Sequence, residues 1–136
     1  MTYDKIELTK IAKELKVVRD TYEKVLRLTD VLFFINTNEF LKDKLVLKGG
    51  TAINLLYTDL PRLSVDIDLD FTRNYTRDEM LVHRNIVDST IIKYMEANNY
   101  SLSTKTKHYF TLSSYVFNYK NLGGNIDNIK IEINYS

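Results

Sequence analysis

Leu8, Ile11, Ala12, Leu15 and Val18 recur three or four residues apart, a spacing that predicts an amphipathic helix. Asp4, with Glu7 three residues on, has the form of a capping box at its start. A second helix follows. Tyr22, Val25, Leu26, Thr29, Leu32 and Phe33 lie on its apolar face, and Arg19, Asp20, Glu23, Lys24 and Arg27 lie on a solvated polar face, before Asn36-Thr37-Asn38 ends it. The periodicity then changes. Leu45-Val46-Leu47-Lys48 reads as a strand, Gly49-Gly50 as a sharp turn, and Ala52, Ile53, Leu55 and Leu56 as a short helix capped by Thr51. Pro61 interrupts the chain, and a strand runs from about Leu63 to Phe71. Thr76-Arg77-Asp78-Glu79 is a further capping box, and it opens a helix that runs to about Ala97 with Met80, Val87, Ile91 and Tyr94 on its apolar stripe. His83 falls on that stripe and reads as a partly buried, hydrogen-bonded core residue. The last third alternates with period two. One strand is expected around Leu102 to Leu112, and a second carries Tyr115, Phe117 and Tyr119. After a loop at Asn121-Leu122-Gly123-Gly124-Asn125, a third runs from Ile129 to Asn134. The order α-α-β-α-β-α-β-β-β predicts an α/β (α+β) fold, a mixed sheet with helices packed mainly on one face.

Composition narrows the picture modestly. A chain of 136 residues and 16.0 kDa is expected to form one domain, residues 1–136, with a real core. The net charge of +1 announces no global basic field. The absence of cysteine excludes disulfides and Cys-ligated zinc and suits a reducing cytoplasm. No run has the apolar length of a membrane span, and the start of the chain lacks the apolar core of a signal peptide. A cytoplasmic protein with no membrane partner is therefore expected. The abundance of Asn, Ile, Lys and Tyr resembles the bias of AT-rich bacterial genomes. Tyrosine-rich strands can stack bases, but tyrosine also forms strands well, and structure is the stronger reading here.

The chemistry concentrates between Lys48 and Phe71. The free N–H groups at the start of a helix opened by Gly49, Gly50 and Thr51 favour an anion such as phosphate. Asp66, Asp68 and Asp70 alternate with Val65, Ile67 and Leu69, so the three carboxylates share one face of a strand. Such a face is disfavoured by like-charge repulsion unless it is solvated or holds a cation. Oxygen ligands of this kind suit Mg²⁺, which commonly shares its shell with substrate phosphates. The alternative is an edge strand charged against aggregation. Lys48 and Arg62 can meet phosphate or serve as ordinary strand-end charges. The lysine precedes the glycines, so this is not a Walker A loop.

Lys48-Gly49-Gly50-Thr51-Ala52, followed by Arg62-Leu63-Ser64-Val65-Asp66-Ile67-Asp68-Leu69, resembles the signature of the AbiEii/AbiGii-type toxin nucleotidyltransferases, within the DNA polymerase β-like nucleotidyltransferase superfamily. The resemblance implies that superfamily's core fold. It also implies that Asp66 and Asp68 are the first two metal ligands, with Glu132, an isolated carboxylate between isoleucines, at the third acidic position. Asp68 and Asp70 satisfy the same Asp–apolar–Asp pattern, one repeat along. Relatives continue into a mostly helical second half, so the resemblance covers the N-terminal half of a typical member.

The activity so implied is transfer of a nucleoside monophosphate from an NTP to an acceptor, plausibly RNA such as a tRNA end, within a bacterial abortive-infection or toxin–antitoxin system. Catalysis would rest on Asp66, Asp68 and Glu132 with Mg²⁺ or Mn²⁺. Nucleotide binding would rest on Lys48, Gly49, Gly50, Thr51, Arg62 and Ser64. Glu132 could also act as general base. A cognate antitoxin protein is an expected partner. Two other readings stand beside this one: a weakly active fragment that binds nucleotide or antitoxin, and a Mg²⁺-dependent phosphodiesterase. A phosphodiesterase needs no triphosphate cradle, which counts against it.

Overall fold

The computed structural model describes residues 3–48 and 67–136. The expected helix at Ala52–Leu56 and the first part of the acidic strand lie outside the described residues.

Helix α1 spans Lys5–Leu15, and the Asp4 carboxylate accepts hydrogen bonds from the amides of Ile6 and Glu7 at its start. Helix α2 spans Arg19–Thr37 and buries Glu23, Leu28, Val31 and Ile35. Its buried stripe is rotated from the one the sequence predicts. Phe33 is 70% exposed, whereas Glu23, expected on the solvated face, is fully buried. The cause is a polar cluster. Glu23 receives Nε of Arg27 at 2.8 Å and the backbone N–H of Leu122 at 2.8 Å, while Lys24 pairs with Asp127 at 2.9 Å. This side of the helix docks on the turn at residues 121–125, where Gly124 adopts φ +88°.

Strand β1, Leu45–Leu47, runs antiparallel to β2, Ile67–Phe71. Helix α3, Arg77–Ala97, starts where predicted: Thr76 and Glu79 form the reciprocal capping box. The segment expected as one strand from Leu102 to Leu112 is instead two short ones, β3 at Ser101–Leu102 and β4 at Lys107–His108. A turn separates them, because Ser103 Oγ accepts from the Lys105 amide and Ser103 O from the Thr106 amide. Strand β5, Leu112–Lys120, and strand β6, Ile126–Asn134, form a long antiparallel pair.

The sheet is mixed, in the order β1-β2-β6-β5-β3 with β4 also on β5, and its one parallel pairing among the described residues is β2 with β6. One face is the core. Ile67, Leu69, Phe71, Tyr115, Phe117, Ile129, Ile131 and Ile133 pack there against Leu28, Val31 and Ile35 of α2 and Val87, Ile91 and Met95 of α3. The opposite face carries Asp68, Asp70, Lys130, Glu132 and Asn134, each only partly buried. The period-two alternation of β2 and β6 thus separates an apolar face under the helices from an ionisable face that stays accessible.

Candidate functional site

The parallel register places Asp68 opposite Glu132 and Asp70 opposite Asn134. Neighbouring strands lie about 4.8 Å apart, so Asp68 and Glu132 are side by side on the open face. A strand that enters 64 residues further along the chain supplies the second carboxylate. Ser114 of β5 sits opposite Glu132, and Lys107 of β4 sits opposite Ser114. The result is a cross-strand row of polar residues, Asp68–Glu132–Ser114–Lys107, over four strands.

The charges on this face are locally balanced. Lys130 Nζ lies 3.0 Å from Glu132, and Lys48 Nζ lies 3.6 Å from Asp70. The Lys48 amide donates to the Asp68 carbonyl at 3.0 Å, which keeps the end of β1 beside Asp68. Asp68 belongs to both candidate Asp–apolar–Asp pairs, and it is the member that meets Glu132. Asp70 is already engaged by Lys48.

Of the residues the sequence singles out, Lys48, Asp68, Asp70 and Glu132 share this region of the sheet. Gly49, Gly50, Thr51, Arg62, Ser64 and Asp66 lie outside the described residues. Among the described residues no three His, Asp or Glu side chains converge as a metal-binding group. The carboxylate pair itself fits a hard divalent cation: its donors are oxygens, and both side chains are only partly buried. His83 stacks on Tyr75 at 4.2 Å and faces Phe40 at 5.7 Å between ring centroids. It is a packing residue, and its buried Nδ1 has no hydrogen-bond partner among the described residues, so only the partly buried half of the sequence expectation is seen there.

On the other side of the sheet lies a polar network that the sequence does not announce. Arg84 is buried on α3. Its guanidinium donates to the carbonyls of Tyr109, Phe110 and Leu112 and to Ser113 Oγ, and so ties the helix to the start of β5. Its place between Met80 and Val87 on the apolar stripe was the available signal. One turn on, Asp88 has a buried oxygen with no partner among the described residues. Burial raises its carboxyl above the ordinary range, against the opposing pull of His108 and Arg84. The folded state therefore holds this proton more tightly than the unfolded chain does. Stability is lost as pH rises from about 4 through the raised folded value. Asp88→Asn is expected to raise the melting temperature at pH 7. The gain should vanish at pH 4 and below, and melting curves across that range would check it.

A family model described as nucleotidyl transferase AbiEii toxin, type IV TA system, matches residues 30–136. No curated protein and no solved structure matches the chain. Among the described residues no helix is long and apolar enough to cross a membrane.

Proposed function

The chain belongs to the AbiEii nucleotidyl transferase toxin family of type IV toxin–antitoxin systems, and from that membership we propose that it transfers a nucleoside monophosphate from an NTP to an acceptor hydroxyl at the acidic row of the sheet. The observation that carries the proposal is the register of Asp68 against Glu132 on the accessible face. Two carboxylates that neighbour each other across a parallel pair, backed by a packed core, form a rigid oxygen-donor platform.

In this reading Asp66, Asp68 and Glu132 hold Mg²⁺, which when bound supplies positive charge to the phosphates of the NTP. Gly49, Gly50 and Thr51 receive the triphosphate, with Lys48, Arg62 and Ser64 as further donors to its oxygens. The acceptor oxygen attacks the α-phosphorus. Its bond to phosphorus forms as the bond to pyrophosphate breaks, and pyrophosphate leaves. In this reading Glu132 is the general base that takes the hydroxyl proton. The toxin–antitoxin family supplies the expectation of a cognate antitoxin as partner.

The test is thermal melting with each of the four NTPs, with and without Mg²⁺, for the natural chain and Asp66→Asn. A ligand that binds only the folded state stabilises it by about 2.7 kcal/mol at a hundred times its Kd. A Mg²⁺-dependent rise for one or more NTPs, absent in the variant, is expected. An unshifted melting temperature with every nucleotide would overturn the assignment of this face.

A further inference from the structure

Glu132 has a neighbour of opposite charge on its own strand. Lys130, two residues earlier on β6, shares its face, and its Nζ lies 3.0 Å from the Glu132 carboxylate. The pair is neither buried nor fully solvated, with side chains 38% and 28% exposed. Across the ladder, Glu132 stands opposite Ser114 and Lys130 stands opposite Val116. Val116 brings no charge and no side-chain acceptor to the lysine. The ammonium sits on a flexible four-carbon stem, which can turn along the strand in either direction.

Turned one way, it meets Glu132. Turned the other way, it enters a groove of about 360 Å³ that Lys130 itself lines, together with Lys105, Lys107 and Asn128. Lys105 and Lys107 are exposed, and neither pairs with a carboxylate among the described residues. Asn128, two residues before Lys130 on the same face, adds a side-chain amide. Lysine ammoniums and an amide around one hollow favour a compact multivalent oxyanion of the phosphate or sulfate class. Lys130 is therefore shared between a carboxylate and an anion-binding hollow. A divalent ion on the Glu132 carboxylate and an ammonium beside it repel, so the carboxylate serves one of them at a time.

We propose that Lys130 is a positioning residue that exchanges Glu132 for an oxyanion in this groove, so that cation binding at Asp68 and Glu132 is linked to anion binding on the far side of Lys130. The inference rests on the nucleotidyl-transfer reading for the role of the carboxylates and deepens it by naming a regulation of the same site. Without an anion, Lys130 neutralises Glu132 and weakens its hold on a divalent ion. An oxyanion draws the ammonium away and leaves Glu132 to the cation. The linkage is reciprocal: the factor that the anion adds to cation affinity is the factor that the cation adds to anion affinity.

The test is Mn²⁺ binding to the full chain, read from the paramagnetic resonance signal of the free ion. It is run in chloride and in sulfate at equal ionic strength, each calibrated on the same buffer without protein. Lys130→Gln is expected to bind Mn²⁺ about fivefold more tightly than the natural chain in chloride, the upper end of what a partly exposed ion pair is worth. Sulfate is expected to tighten binding to the natural chain and to leave Lys130→Gln unchanged. The double variant Lys105→Gln/Lys107→Gln should keep the natural affinity in chloride and lose the response to sulfate. Lys130→Arg keeps the charge and should follow the natural chain in chloride, which separates the lost charge from a disturbed strand. The linkage is overturned if Lys130→Gln binds no more tightly, if the double variant tightens as much in chloride, or if sulfate acts equally on the natural chain and Lys130→Gln. Glu132→Gln is measured alongside. Absence of Mn²⁺ binding by the natural chain, or binding indifferent to Glu132→Gln, rejects the nucleotidyl-transfer reading of this face itself.

Discussion

Asp68→Asn is expected to leave the chain folded and, on the proposed reading, to lower nucleotidyl transfer on the order of a thousandfold or more. The substitution keeps the size of the side chain and removes one charge from the position that faces Glu132. Asp68 is only partly buried on the open face, so stability should change by no more than about 1 kcal/mol. A structural aspartate would behave oppositely, with a lower melting temperature and a proportionate loss of everything else. The measurement is single-turnover transfer from a radiolabelled NTP to RNA, with thermal melting of the same preparation. Retained transfer would remove Asp68 from the chemistry. Asp70→Asn provides the comparison. Its partner is Lys48 at 3.6 Å and its cross-strand neighbour is Asn134, so a much smaller loss is expected.

Glu23→Ala is expected to lower stability by about 3–5 kcal/mol, a large part of the whole for a domain of this size. Glu23 is fully buried and joins two distant parts of the chain. One oxygen holds Arg27, and the other accepts the Leu122 amide. Truncation leaves that amide without an acceptor and the Arg27 guanidinium without its counter-charge. Arg27 keeps its bond to the Tyr100 hydroxyl at 3.1 Å and its place 4.2 Å over the Tyr119 ring, so the charge stays where it is and its desolvation is uncompensated. Glu23→Gln retains an acceptor for Leu122 and should cost less. Urea unfolding of the three proteins gives the comparison, and a Glu23→Ala loss below about 1 kcal/mol would show that the pair is not fully shielded from water.

Local signals were legible in the sequence where a few neighbouring residues decide the structure. Thr76 and Glu79 form the capping box they spell. The alternation through Ile67–Phe71 and Ile129–Asn134 gives the apolar and ionisable faces in the right phase. The family signature in Lys48–Leu69 agrees with the family that residues 30–136 match. Signals that depend on distant partners were not legible. Glu23 reads as a solvated residue because its acceptor role is completed by Leu122, and only the docking of α2 on that turn draws it inside. Phe33, apolar by type, is left outside by the same rotation. The break between β3 and β4 depends on Ser103 turning the chain back on itself, in a run whose composition still reads as strand. That Asp68 meets Glu132 follows from a parallel register, and a hydrophobic pattern fixes which face a residue takes without fixing which residue of another strand stands beside it.

The strand that carries Glu132 lies between β2 and β5, with neighbours that are both made before it. Among the described strands, β1 and β2 can pair only with each other on a ribosome, and β5 waits with its inner edge uncovered, until residues 126–134 have emerged. A two-stranded ribbon is marginal in water by itself. Closing loops of this length is expected to make the final insertion a slow step of folding. Synthesis thus carries a built-in delay. A nascent chain has one acidic strand and exposed sheet edges, but no assembled acidic pair, until β6 slots in.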